Sequence, residues 1–336
     1  MSKIRMVDVA QHAGVSKSTV SHYLNGRFAR MSSETKQRIE DSIEALNYTP
    51  NHIARSLNNQ NTMTIGVIVR DICGHFTSRM IRGIDDFCKR NKYDVLIYNT
   101  DFDPEIEKQS IKKLRQLRVD GIIIATSGSN NAIIQKEIDS GFPVVLMHLE
   151  YDDLNASIVL ADNKKGAFEA TEHLINLGHK RICAYTLDYA GSRRSRRERL
   201  EGFTKAMAKH GLPVEPELIQ HWSRDNGLET PTDTILNSEN PPTAFLSLYL
   251  AITETLLGDF RRLDVNIPQD ISLVAFDEIP MVEHFKVPVT VVAQNPYAMG
   301  LEAARILLDG IMSDDQTVKK VVLPCELIKR ESCAAL

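Results

Sequence analysis

From Thr64 onward the chain repeats one pattern: a short, continuous apolar run followed by a longer amphipathic stretch. The runs are Ile65–Val69, Val95–Tyr98, Gly121–Ala125, Val144–Met147, Ile158–Leu160, Ile182–Tyr185, Ala244–Leu248, Ser272–Phe276 and Thr290–Ala293. The stretches 78–90, 104–117, 164–177, 196–210 and 296–312 read as helices between them. A run without a polar face needs burial on both sides, and a parallel sheet covered by helices on both faces supplies that. The alternation spans roughly 260 residues, more than one doubly wound sheet holds comfortably. The expectation is therefore an α/β body of two lobes with a cleft between them. Hydrophobic residues at 43% and charged residues at 25% agree with a globular core of that size.

The first 48 residues have a different texture. Val7, Val9, Ala10 and Ala13 mark an apolar face at helical spacing, ended by Gly14. Ser16 is placed to cap a second helix over 17–24, with Val20 and Leu24 turned inward and Asn25-Gly26-Arg27 closing it. Ser32 is placed to cap a third helix with Ile39, Ile43 and Leu46 as its buried stripe. Thr49-Pro50-Asn51 breaks the chain, and a short, weakly apolar helix follows from His52 to Asn58. So short a helix is marginal in isolation and orders only with help.

Charge follows the same division. Residues 1–60 carry eight Lys and Arg against five Asp and Glu, hence +3, while the rest of the chain carries −7 of the total −4. A basic head on an acidic body suits a head that approaches phosphate. Five widely spaced cysteines in no metal-ligand spacing read as reduced thiols, and the N-terminus lacks the apolar run of a signal peptide, so a cytoplasmic protein is expected. No stretch of 18 apolar residues suggests a membrane helix.

Two helices joined by a tight glycine turn form a helix-turn-helix, whose second helix enters the major groove. Here that helix exposes Lys17, Ser18 and His22 to base edges, while Ser16, Thr19 and Ser21 suit phosphate contacts.

The stretch Asp8-Val-Ala-Gln-His-Ala-Gly-Val-Ser-Lys-Ser-Thr-Val-Ser-His-Tyr-Leu-Asn25, followed by Tyr48-Thr-Pro-Asn-His-Ile-Ala-Arg-Ser-Leu57, resembles the lactose-repressor (LacI) family. The resemblance continues through Leu177-Gly-His-Lys-Arg-Ile, Arg199-Leu-Glu-Gly-Phe203, Pro242-Thr-Ala-Phe, Ile267-Pro-Gln-Asp-Ile-Ser-Leu-Val-Ala-Phe-Asp277 and Val289-Thr-Val-Val-Ala-Gln294, essentially the whole chain. It implies an all-α helix-turn-helix head (1–48), a hinge helix and linker (49–62), and a two-lobed, periplasmic-binding-protein-like sensor (63–331). The N-lobe would take about 63–162 and 294–323, the C-lobe about 163–292 and 324–331. It further implies DNA contacts at Asn25 and at the hinge positions Asn51, Ala54 and Arg55, with Leu57 wedging into a minor-groove step.

For the sensor, the resemblance implies a small sugar-type effector held at strand C-terminal ends. Arg199, Asp277 and Gln294 match family positions; Arg70, Asp71, His75, Phe76, His148 and Tyr249 are further candidates. The sequence departs from the family at three places, two single residues and one block. Arg5 stands where a capping threonine is usual, His22 where arginine is, and Leu248-Tyr249-Leu250 where Asn-Asp is. The arginines at 193, 194, 196, 197 and 199 point several ways on a helix and as a cluster read mostly as a solvated face; one or two of them facing the cleft would suit an anionic effector, such as a sugar acid or sugar phosphate. The partners expected are a pseudo-palindromic operator, the effector and a second copy of the chain. No cofactor or metal is expected. A transporter's solute-binding protein would share the sensor but not the head. No nucleotide-binding, nucleophile-elbow or zinc-protease motif argues for an enzyme.

Overall fold

The computed structural model describes residues 4–24, 26–29, 31–48, 61–187, 194–313 and 317–336. Asn25, Asn51, Ala54, Arg55, Leu57 and the expected helix 52–58 lie outside the described residues, as do Arg193 and the side chains of Arg194 and Arg196. The chain divides into two compact units, Met1–Thr62 and Met63–Leu336.

In the first unit three helices, α1 (Met6–His12), α2 (Lys17–Leu24) and α3 (Ser33–Ala45), enclose a core of Val9, Ala10, Ala13, Val20, Ile39 and Tyr48. Val7 is not part of it. It is 44% exposed, because a helix starting at Met6 turns 6, 9, 10 and 13 to one side, and Met6 takes the inward place. Ile43 and Leu46 pack at the rim rather than inside, and Ile39 is fully buried. Arg5 caps α1 through its backbone: its N–H donates to the Asp8 carboxylate at 2.7 Å. Gly14 turns the chain between α1 and α2 at φ +63°, a conformation that side chains disfavour. Ser32 Oγ accepts the Thr35 N–H at 3.2 Å and so caps α3.

The second unit contains, in chain order, β1 (Thr64–Val69), α4 (His75–Arg90), β2 (Asp94–Asn99), α5 (Pro104–Gln116), β3 (Ile122–Ile124), α6 (Asn131–Asp139), β4 (Val144–Met147), β5 (Ser157–Ala161), α7 (Asn163–Asn176), β6 (Ile182–Leu187) and α8 (Arg194–Lys209). There follow β7 (Ile219–Ser223), β8 (Gly227–Leu228), α9 (Thr232–Leu236), β9 (Ala244–Ser247), α10 (Leu250–Arg262), β10 (Ser272–Phe276), β11 (Thr290–Ala293), α11 (Pro296–Met312), β12 (Lys320–Leu323) and β13 (Glu326–Ile328). One sheet is all parallel in the order β12-β5-β4-β3-β1-β2. The other runs β13-β11-β10-β9-β6-β7-β8, with β13 and β8 antiparallel at its two edges. Every buried strand is legible as an apolar run, and so is β2, although it lies at a sheet edge and none of its residues is fully buried. β7, β8, β12 and β13 escape that reading because each lies at or next to a sheet edge and mixes polar residues into a partly exposed strand.

The chain passes between the sheets after β5, after β11 and after β12, all at one edge of each sheet. Two passages double as helix caps: Asp162 accepts the Lys165 N–H at 3.1 Å, and Asn295 accepts the Ala298 N–H at 3.0 Å. The helices are thus held at the point where one lobe becomes the other. On the first lobe α4 and α11 cross so closely that a Cβ at Gly83 would strike the Tyr297 carbonyl oxygen, and one at Gly300 that of Met80. The C-terminus closes the second lobe. Ser332 is fully buried, donates to the Leu273 carbonyl at 2.6 Å and accepts the Thr290 N–H at 2.8 Å.

Candidate functional site

On α2 the buried Val20 sets the orientation of every other side chain. With Val20 inward, Lys17, Ser18 and His22 point outward and are exposed, and Thr19 and Ser21 lie half-buried at the flank. Ser16 Oγ accepts the Thr19 N–H at 3.1 Å and also bonds the hydroxyls of Ser18 and Thr19, each at 2.7 Å. That cap leaves a helix N-terminus whose first turn carries no acidic residue, an arrangement that attracts phosphate. The segment after α2 is braced by stacking: Tyr23 meets Phe28 edge-on at 5.8 Å, and Lys36 Nζ lies 4.3 Å over the Phe28 ring. Six of the DNA-contact candidates, Ser16, Lys17, Ser18, Thr19, Ser21 and His22, therefore share one helix and its cap.

In the second unit the centre of the cleft is Arg199, on α8. Its side chain is only 1% exposed. Nε donates to Asn163 Oδ1 at 2.8 Å, Nη1 donates to the Leu248 carbonyl at 2.5 Å, and Nη1 lies 3.5 Å from the Asp277 carboxylate. The guanidinium plane stacks 3.7 Å from the Phe276 ring centroid and 4.4 Å from that of Tyr249. A buried cation is tolerable only when so paired and hydrogen-bonded. Asp277 has φ +81°, which turns its carboxylate back over the strand end, where Gln294 Nε2 also donates to it. The Gln294 amide oxygen is buried and has no protein donor.

A cavity of about 870 Å³ meets this cluster at Asp277 and Gln294. His75, Phe76 and Arg79 enter from α4, Lys165 and Glu169 from α7, and Asp277, Glu278 and Gln294 from the strand ends. Cys325, also on the wall, has its thiol pushed up to about 12 by burial, so it is a neutral lining group. Phe76 packs against His148 at 5.0 Å between ring centroids, and His148 holds φ +70° directly after β4. Asp71 turns into its own loop, accepting the Cys73 N–H at 3.0 Å. Arg70 lies over the Phe102 ring at 5.6 Å. The structure thus gathers His75, Phe76, Asp277 and Gln294 on the cavity wall and joins Arg199 to both Asp277 and Tyr249, whereas Arg70 and Asp71 have partners elsewhere.

The comparisons with known proteins agree with this division. Residues 5–51 match the family described as bacterial regulatory proteins, lacI family, and residues 171–333 match the periplasmic binding protein-like domain. The probable HTH-type transcriptional regulator EndR of Paenibacillus polymyxa is 35% identical over 312 residues, 93% of this chain and 92% of that one. The chain belongs to the LacI family. It is a DNA-binding transcription regulator and not an enzyme. The HTH-type transcriptional regulator DegA of Bacillus subtilis is 30% identical over 339 residues, 99% of each chain. A crystal structure of the lac repressor dimer bound to operator and the anti-inducer ONPF superposes with TM-score 0.85 at 24% identity, covering 99% of this chain and 100% of that one, and shares the fold.

Several groups of this LacI-family cleft were not legible in the sequence. Asn163, which holds Arg199, belongs to no motif, and Phe276 lies in a family block but carries no sign there of a role beside an arginine, because neither contact exists until the strands are stacked. Glu107 is a second example. It is fully buried on α5 and accepts from Thr126 Oγ1 at 3.0 Å, the Ser127 N–H at 2.8 Å and Asn130 Nδ2 at 2.9 Å. Its carboxylate fixes the loop after β3, and among the described residues no cation pairs with it. In the sequence it is one acid among many in an amphipathic helix.

Proposed function

We propose that Lys17, Ser18 and His22 read operator bases while Ser16, Thr19 and Ser21 hold phosphates, and that a small neutral, hydroxyl-rich effector of the sugar type occupies the cavity beside Arg199. The observation that carries the effector class is the pairing of Arg199 with Asp277. An anionic effector would need an unmatched arginine facing the cleft, but the buried Arg199 is already matched by a carboxylate and Arg197 is exposed. The cavity wall holds Arg79 and Lys165 against Glu169, Asp277, Glu278 and Glu326, so the balance disfavours an added negative charge. Asp277 and the unpartnered Gln294 oxygen instead accept from hydroxyl donors. Phe76 supplies an aromatic face on the cavity wall, of the kind a sugar ring packs against.

In this reading the regulator is a cytoplasmic homodimer whose two heads read a pseudo-palindromic site. The head takes residues 1–48, the hinge 49–62 and the sensor 63–331, with Asn25, Asn51, Ala54 and Arg55 on DNA and Leu57 as the minor-groove wedge. His148, Tyr249, Arg70 and Asp71 frame the effector path. An effector that prefers one lobe arrangement shifts the population of hinge geometries and so the affinity for operator.

A thermal-shift screen of the full-length protein against neutral sugars, sugar acids and sugar phosphates tests the effector class. Neutral sugars should raise the midpoint, since a ligand well above its Kd stabilises by a few kcal/mol. Stabilisation by the anions alone would overturn the neutral assignment.

A further inference from the structure

The two sheets are joined at one edge, where β5, β11 and β12 hand the chain across, and are free of each other at the opposite edge, β2 in one lobe and β7-β8 in the other. At that far edge one contact crosses the cleft mouth. Phe102 follows β2, and Arg224 sits in the turn between β7 and β8, with its guanidinium carbon 4.2 Å from the Phe102 ring centroid. Arg70, at the end of β1 in the same lobe as Phe102, lies over the same ring at 5.6 Å. We propose that Phe102 and Arg224 form a latch that holds the mouth of the cleft closed, a conformational device at the end of the molecule farthest from the crossovers.

Both halves of the latch are set by their own backbones. Asp101 and Phe102 take the left-handed conformation at φ +50° and +65°, which lifts the phenyl ring off the sheet edge. Asn99 braces that turn: its Oδ1 accepts the Ile72 N–H at 3.0 Å and its Nδ2 donates to the Asp101 carboxylate at 2.6 Å. Opposite, the Arg224 turn is closed by the Asn226 N–H donating to Ser223 Oγ at 3.1 Å and by Gly227 at φ +70°. Among the described residues no ion pair holds Arg224. The position also gives leverage. A contact near the joining strands changes little as the lobes rock, whereas one at the free edge is made or broken outright. Phe102 is 37% exposed, so the interaction is of the solvent-facing kind and biases the closed state about two- to fivefold. A latch of that strength stays reversible, so it sets how readily the cleft opens without locking it.

Amide hydrogen exchange on the full-length, ligand-free protein tests this. Phe102→Leu removes the π face but keeps apolar bulk, and Arg224→Gln removes the cation but keeps most of the stem. Each should speed exchange about two- to fivefold in both segments, 99–103 of one lobe and 222–228 of the other. The double variant should go little further, because either change alone opens the latch. If Arg224→Gln speeds exchange only in 222–228, or Phe102→Leu only in 99–103, the contact is incidental and the proposal fails. An unchanged unfolding midpoint in both variants separates opening of the mouth from loss of the fold.

Discussion

Arg199 and Asp277 lie 3.5 Å apart in the cleft of the second unit, on a helix and a strand end separated by more than seventy positions in the chain, and only 1% of the arginine is exposed. The pair is the electrostatic centre of the site, and each member is held by further groups, Asn163 and the Leu248 carbonyl on one side and Gln294 on the other. Removing one partner leaves the other buried and uncompensated. Arg199→Ala should therefore lower stability by about 3 kcal/mol in urea unfolding, and Arg199→Lys should recover little, since an ammonium cannot serve Asn163, Leu248 and Asp277 in one plane. Unchanged unfolding midpoints would mean that the pair is not buried in solution.

On the head, His22→Ala should alter which operator bases are preferred while leaving non-specific affinity nearly unchanged, because His22 is exposed on the face opposite Val20. Lost discrimination of about 1–3 kcal/mol at one base position is the expected scale. Leu57→Ala should instead weaken every operator alike. Selection from a randomised operator library reads both outcomes.

The crossing of α4 and α11 tolerates no side chain at Gly83. Gly83→Ala should cost about 1–3 kcal/mol through forced separation of the two helices, even though alanine favours helix. A stabilised variant in thermal unfolding would contradict the close crossing.

His179 is buried, with Nδ1 at 2.9 Å from Thr243 Oγ1 and Nε2 at 3.1 Å from the Ala334 carbonyl. Burial lowers its pKa from the ordinary value of 6.5, against an opposing bond to Ala334. The unfolded chain therefore binds the proton more readily than the folded one. The contribution of His179 to stability is full above about pH 6.5 and is lost as the pH falls from there through the lowered folded value. His173 shifts the same way, by burial and by Lys329. Urea midpoints should fall between pH 7.5 and pH 5.5, and His179→Gln should flatten that fall.

Of the five cysteines, only Cys73 is exposed. Cys88 and Cys183 are buried and Cys325 and Cys333 half-buried; burial pushes the thiols of Cys88, Cys183 and Cys325 up to about 12 and raises that of Cys333 as well. A thiol reagent at pH 8 should modify Cys73 rapidly, Cys325 and Cys333 more slowly, and Cys88 and Cys183 only on unfolding.

The helix-turn-helix, the α/β alternation and the family were all written locally. A cap at Ser16, a glycine at 14 and an inward Val20 define a helix pair within a few turns of chain, and a run such as Ile65–Val69 announces a strand buried on both faces wherever it is placed. Arg199, Asp277 and Gln294 stood out because they sit inside recognisable blocks. The tertiary structure decided what such local patterns do not carry. It turned Met6 inward in place of Val7 and added edge strands whose mixed polarity hides them. It also closed Asn163, Phe276 and Tyr249 around an arginine whose charge is spent on Asp277, and it brought Phe102 and Arg224 together from opposite lobes. Local order follows from periodicity and capping, which a few neighbouring residues encode. The net charge of a cleft depends on which distant side chains meet in low dielectric, and that is fixed only when both sheets are in place.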